Sequence, residues 1–262
     1  MREIELKLKR KIKARLYLNA VLPAFEDLLD FSEDARAHMH GRKFKLGFQT
    51  SSGLKSTLIF ENGTCQFTKT KQRQRQIVLH FVSEEQLNRE FEDEGFRLPI
   101  PIKGATRVGD LKAFKAVSTE LEKCLRPSQE KLDEVEFHAF HVGLQLGIAL
   151  RAAIELATHE PLSKNIMGQC PSGLAFFSVG KDGYGAWLLW ESGRLTSGKG
   201  TPERKPDVTV EFQDAETALR AVGNRIDVMA AVGLGEIKVS GLVPLADSLG
   251  YIFERIPLYI QP

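Results

Sequence analysis

Apolar and polar residues alternate over residues 54–60 and again over 184–190, a period of two that predicts strands with one face on a core. Val208, Val210 and Phe212 alternate with Thr209 and Glu211, and Ile237 and Val239 form another short alternating run closed by Gly241. Asn62-Gly63 and Ser192-Gly193 follow two of these runs and predict tight hairpin turns. Helical stretches punctuate the strands. Ser83 and Asp214 open two of them, and Asp214 is an N-cap for a helix from Ala215 to Val222 that Gly223 ends. Pro23, shortly after Asn19, marks a cap and helix start in the N-terminal segment. Residues 130–160 are apolar on nearly every side, which predicts a helix buried at an interface between two units.

The order of these elements occurs twice. Residues 44–63 lie over 174–193 at a constant offset of 130, with Gly53 on Gly183, Leu58 on Leu188, Phe60 on Trp190, Glu61 on Glu191 and Gly63 on Gly193. An offset of 131 then brings residues 77–81 over 208–212, and six further residues in the second copy bring 100–104 over 237–241. The expected fold is α+β: two tandem units, residues 1–128 and 129–262, each an antiparallel-rich sheet covered by helices and related by internal duplication.

Composition narrows the function classes. A net charge of +2, 42% hydrophobic and 27% charged residues describe a globular chain and disfavour a nucleic-acid binder. Cys65, Cys124 and Cys170 are scattered, odd in number and without a C-x-x-C pair, so they read as reduced thiols in a cytoplasmic setting. The N-terminal run has no apolar core of a signal peptide. The apolar stretch 137–157 contains His138, His141, Gln145, Arg151 and Glu155, which suit a buried helix better than a membrane span.

The second copy resembles the sterol carrier protein type 2 family in its run LLWESGRL, then PDVTVEF, ALRAVGNRIDVMAAVGLGEIKVSG and LADSLGYIFERI. Gly193, Asp207, Gly223, Gly235 and Gly241 occupy the family's turn, strand-start and helix-end places across residues 174–257. The resemblance implies an apolar tunnel for fatty acyl chains, sterols or other lipids, with no catalytic residues. The first copy departs from the pattern: it lacks six residues within MAAVGLGE, and its last helix is more polar. It is expected to be a degenerate packing partner.

The tunnel candidates are Phe176, Trp187, Trp190, Val210, Phe212, Leu219, Met229, Val232, Ile237, Val239, Leu249, Ile252, Phe253 and Ile256. A filled core needs the same residue types as a lined cavity, so the pattern leaves both open. Trp187 and Trp190, an odd number of residues apart, must face opposite sides of their strand.

Other constellations carry less. GRLTSGKG, residues 193–200, is one letter from a phosphate loop, but Gly200 replaces the hydroxyl residue and Pro202 and Pro206 break the helix such a loop requires. It reads as a turn and strand. His138 with His141 at helical spacing, and His38 with His40, lack a third metal ligand nearby. Cys170 and His159 have no nucleophile elbow. Lys7, Lys9, Arg10, Lys11, Lys13 and Arg15, with Ile4, Leu8, Ile12 and Leu16 between them, form a basic amphipathic helix, either solvated or laid on an anionic membrane. Lys69, Lys71, Arg73 and Arg75 form a second basic run without the aromatics of a nucleic-acid site.

The expected function is therefore non-catalytic binding or carrying of an apolar ligand (lipid, fatty acyl, sterol or isoprenoid-like) in the second half, with no cofactor, metal or nucleic-acid partner. The alternative is a structural or protein-interaction module with a filled core, an accessory in lipid or quinone metabolism.

Overall fold

The computed structural model describes residues 2–70, 76–92, 99, 101–180 and 184–260. Lys71, Arg73, Arg75 and Gly183, and most of the segment where the first copy is shorter, lie outside them. The chain forms two compact α+β units, Met1–Pro127 and Ser128–Pro262.

In the first unit, α1 (Arg2–Leu16) runs through a π-helical turn (Tyr17–Val21) toward α2 (Ala24–Phe31) and α3 (Glu33–Met39). Pro23 caps α2 as its fixed φ predicts, whereas Asn19 lies inside the π turn and accepts a hydrogen bond from Ser56 Oγ (2.9 Å) instead of capping. Strands β1 (Lys43–Thr50), β2 (Lys55–Glu61), β3 (Thr64–Thr68) and β4 (Ile77–Phe81) follow, then α4 (Glu84–Glu92), β5 (Pro101–Lys103) and α5 (Val108–Leu125). The sheet order is β3-β2-β1-β4-β5, with β1 and β4 parallel and every other pair antiparallel.

The second unit begins with α6 (Gln129–Leu132), α7 (Val135–His159) and α8 (Pro161–Gln169). Its strands are β6 (Gly173–Val179), β7 (Gly185–Glu191), β8 (Arg194–Lys199) and β9 (Val208–Phe212). Helices α9 (Ala215–Val222) and α10 (Val228–Leu234), strand β10 (Ile237–Gly241), helix α11 (Val243–Arg255) and a 3-10 turn (Ile256–Leu258) complete it. The order β10-β9-β6-β7-β8, with β6 and β9 parallel, is the order of the first sheet. Helix α7 is long and apolar enough to cross a membrane, yet most of its apolar window is buried, packed on β7, β8, α8, α9 and α11 of its own unit.

The two sheets share their special positions. Asn62 and Gly63 (φ 49° and 85°) and Ser192 and Gly193 (φ 53° and 72°) are all left-handed, as a two-residue type I′ hairpin requires. Gly104 and Gly241 end β5 and β10 with positive φ, and a Cβ on either would sit 2.2 Å from a carbonyl oxygen, that of Gln76 or Asp207. Those two residues are themselves matched. Gln76 Oε1 accepts the Lys45 backbone N–H, and Asp207 Oδ2 accepts that of Leu174, both at 2.7 Å.

One correction to the repeat follows from the registers. In the first sheet Leu46 pairs with Leu58, and in the second Ala175 pairs with Leu188. The offset is therefore 129 in the first strand and 130 in the next, because the β6–β7 connection is one residue longer than the β1–β2 connection. A one-residue slip exchanges the two faces of a strand. Phe44, Leu46 and Phe48 thus correspond to Gly173, Ala175 and Phe177, not to Leu174, Phe176 and Ser178.

The first core is filled. Phe44, Phe48, Phe60, Phe81 and Phe114 are fully buried. Phe114 of α5 reaches across the sheet, with ring centroids 5.2 Å from Phe25 and 6.0 Å from Phe48 and Phe60, separations at which aromatic pairs attract.

Candidate functional site

In the second unit the paired registers place Ala175, Phe177, Leu188, Trp190, Val210, Phe212, Ile237 and Val239 on one face of the sheet. Helix α11 covers this face, its Phe253 meeting Phe177 edge-on at 5.6 Å. Leu249, Ile252 and Ile256 are buried beneath it. The cover is incomplete. Val210 and Val239 sit opposite each other on adjacent strands and are only half-buried, as are Phe253 and Leu219 of α9. Leu79, at the sheet position of Val210 in the first unit, is fully buried.

Helices α9 and α10 stand beside this gap, and both are set by local chemistry. The Asp214 carboxylate accepts the Thr217 backbone N–H (2.8 Å), a bond that holds its pKa below the usual range. Asp227 Oδ1 likewise accepts from Ala230 (3.0 Å), and left-handed Gly235 ends α10. Gly223 ends α9 with negative φ, and Asn224 takes the left-handed step. Helix α10 turns much of its apolar side outward: Met229 is 79% and Leu234 76% exposed, with Val228 and Val232 partly so. Met229 and Val232 therefore form an apolar rim rather than a lining.

Two further candidates do not join the others. Phe176 and Trp187 lie on the opposite face of the sheet, Phe176 against Gly185 and Trp187 across Gly198 of β8. A Cβ at Gly198 would fall 2.2 Å from the indole, so this glycine in GRLTSGKG makes room for a tryptophan. Gly193 belongs to the hairpin turn, Gly200 follows the strand with φ 73°, and no helix starts at Lys199. Trp190 faces α11's side, at the end of the sheet, where its indole N–H donates to the Cys170 carbonyl (3.3 Å). The ungapped alignment hid Phe177, since it assigned the inward place to Phe176.

A polar cluster that sequence reasoning missed lies where α7 meets α8. Glu160 accepts hydrogen bonds from Arg255 Nε (2.7 Å to Oε2, 2.9 Å to Oε1) and Nη2 (2.5 Å), from Tyr259 Oη (2.6 Å) and from Ser163 Oγ. Its side chain is 3% exposed. Burial pushes the Glu160 pKa up, but the bonds from Arg255, Ser163 and Tyr259, with the Arg255 charge, outweigh burial and hold it at about 2. Burial and the Glu160 bond raise Tyr259 to about 12. Neither group exchanges protons readily near neutral pH, so the cluster is a latch between the α7–α8 corner and the end of the chain's last helix.

The remaining chemistry is dispersed. His141 is buried and stacked on Phe137 (6.2 Å), and His38 and His40 are exposed. Among the described residues no group of three or more His, Cys, Asp or Glu is placed to hold a metal. Burial pushes the Cys170 thiol up, and His159 lies 3.7 Å from Glu155.

No protein-family model matches the chain, and no curated protein sequence does. Part of the chain is similar to solved sterol carrier structures. A UbiJ-SCP2 ubiquinone synthesis protein is 15% identical over 39% of this chain and 85% of its own, with a TM-score of 0.32. The sterol carrier protein domain 2 of Helicoverpa armigera is 18% identical over 45% and 92%, and sterol carrier protein 2 from Yarrowia lipolytica 14% over 41% and 86%, each with a TM-score of 0.33.

Proposed function

We propose that the chain binds an apolar, lipid-like ligand without chemistry of its own, and that the ligand lies in the second unit between the β9–β10 face and helices α9, α10 and α11. The observation that carries this reading is the half-exposure of Val210 on an interior strand, where the first unit buries Leu79 completely. A cleft whose floor is Val210 and Val239, and whose side is Leu219 and Phe253, would offer an acyl or polycyclic chain about 0.8 kcal/mol for each methylene it buries. The resemblance of residues 174–257 to lipid-carrying domains points to the same ligand class. The Asp207–Gly241 contact and the caps at Asp214 and Asp227 then hold the walls in place rather than touch the ligand. In the first unit Phe114 and its neighbours fill the matching space.

Extraction of the purified full chain into organic solvent, analysed by mass spectrometry, together with titration of delipidated protein by a fluorescent fatty acid, tests the reading. The wild type is expected to yield or bind one apolar molecule. Val210→Phe, which fills the floor, is expected to weaken binding about tenfold or more with the tryptophan emission of the folded unit retained. A clean extract with no probe binding would sink the proposal.

A further inference from the structure

Helices α1 and α4 of the first unit pack together, and an open groove of about 650 Å³ lies between them, within the size range of small-molecule sites. Lys9, Arg10, Lys13 and Arg89 line it together with two carboxylates, Glu85 and Glu92, so the groove carries two positive charges in excess. Arg10 pairs with Glu85 (3.4 Å) and Lys13 with Glu92. Lys9 and Arg89 have no ion-pair partner among the described residues. Burial, and then the Lys9 charge, hold the Lys13 ammonium below its usual range, as crowded positive charge requires. The walls are fixed by local bonds. Asn88 Nδ2 donates to the Arg10 carbonyl (3.0 Å) and ties the two helices together. At the start of α4, Ser83 Oγ accepts the Gln86 N–H (3.1 Å) and Gln86 Oε1 accepts that of Val82 (2.8 Å), in the manner of a capping box.

The second unit shows what is particular to the first. At the repeat offset of 131, Arg89 stands at the place of Arg220, which is neutralised by Glu236 (3.9 Å). The alignment of residues 100–104 with 237–241 puts uncharged Pro99 where Glu236 stands, so Arg89 lacks that partner. Asn88 likewise replaces Leu219, a side of the cleft in the second unit. Asn88 is buried and its Oδ1 accepts no hydrogen bond, so the first unit places a polar amide where the second places hydrocarbon.

A guanidinium and an ammonium without partners, in a groove that also presents exposed Leu6 and Val82, fit a dianion carried on an organic body. The guanidinium fork suits two phosphoryl oxygens, and the ammonium adds a point charge. We propose that the α1–α4 groove binds a soluble organic phosphate of metabolite size, with its phosphoryl group between Lys9 and Arg89 and its organic part against Leu6 and Val82. The two units of the duplication then serve different ligand classes, and this site does not rest on the lipid reading of the second unit.

Calorimetric titration of the full chain at low salt with glucose 6-phosphate and adenosine monophosphate, and with glucose and adenosine as their neutral parents, tests the proposal. At least one ester is expected to bind once per chain, in competition with inorganic phosphate and more weakly as salt rises, and neither neutral parent is expected to bind. Lys9→Ala with Arg89→Ala should weaken binding about tenfold or more, since a single charge-assisted contact is worth about that factor. Lys7→Ala with Lys11→Ala removes the same charge from exposed positions that do not line the groove, and should cost less than about threefold. All four side chains are exposed, so circular dichroism should be unchanged in both variants. The proposal is overturned if neither ester nor inorganic phosphate binds, or if a neutral parent binds as well as its ester. It is also overturned if the Lys7 and Lys11 pair matters as much as Lys9 and Arg89, because the attraction would then be a diffuse field rather than a site.

Discussion

Replacing Glu160 by Gln keeps the shape of the side chain and removes the charge at the centre of the latch. Arg255 then loses its ionic partner while its own side chain is only 26% exposed, and one carboxylate oxygen that accepted hydrogen bonds becomes an NH2 facing donors. Breaking a buried pair in this way costs about 3–5 kcal/mol, and the partial exposure of Arg255 favours the lower end. An independent route gives a similar size: a carboxyl held at about 2 rather than its ordinary 4.5 contributes roughly 3 kcal/mol when ionised. The sign is that of a depressed pKa. The contribution is complete above pH 4.5 and is lost as pH falls from there through 2. Tyr259 runs the other way: its raised pKa gives stability that is complete below pH 10 and is lost as pH rises from 10 through about 12. The chain supplies its own reporter, because both tryptophans, Trp187 and Trp190, belong to the second unit. Urea unfolding of the full chain followed by tryptophan emission should show Glu160→Gln shifted down by roughly 1–3 M at pH 7. The gap between wild type and variant should close as pH falls below 4.5. A shift under about 0.5 kcal/mol at pH 7, or two curves that decline in parallel with acid, would refute the assignment of the latch.

Gly241→Ala should destabilise the second unit by about 2–3 kcal/mol, since its Cβ meets the Asp207 carbonyl at a positive φ, and the loss should appear in tryptophan emission. Gly104→Ala, its counterpart, should cost the first unit a similar amount, visible in circular dichroism but silent in tryptophan emission. Phe114→Ala should cost the first unit ~3–5 kcal/mol by leaving Phe25, Phe48 and Phe60 without their common neighbour, and fatty-acid titration of the still-folded chain should be unchanged.

Much of the fold was legible because turns and caps are local. Gly63 and Gly193, Asp214, and the alternation of Val208, Val210 and Phe212 each declare their conformation within a few residues, and their recurrence exposed two similar units. The offset in the first strand was not legible. Connections tolerate an added residue at small free-energy cost, so the longer β6–β7 connection left no trace in composition and displaced Phe177 in favour of Phe176. The Glu160 latch was hidden for a different reason: two of its partners, Arg255 and Tyr259, are 95 and 99 residues away, and no local pattern encodes such a pairing. The half-open face was hidden because Val210 and Leu79 are both ordinary strand residues. Only what stands over each one distinguishes a sealed core from a cleft.

The four edge strands bear on how the chain behaves at high concentration. An unpaired strand is a template on which a second molecule can assemble. On β3 the Phe67 N–H is already taken by Glu26 Oε1 (2.6 Å), and β5 begins with Pro101, which has no N–H to offer. On β10, Lys238 would carry its charge into any added strand, and on β8 the charges of Arg194 and Lys199 flank a backbone weakened by Gly198. The stretch that looks like a phosphate loop thus helps keep one molecule from growing into the next.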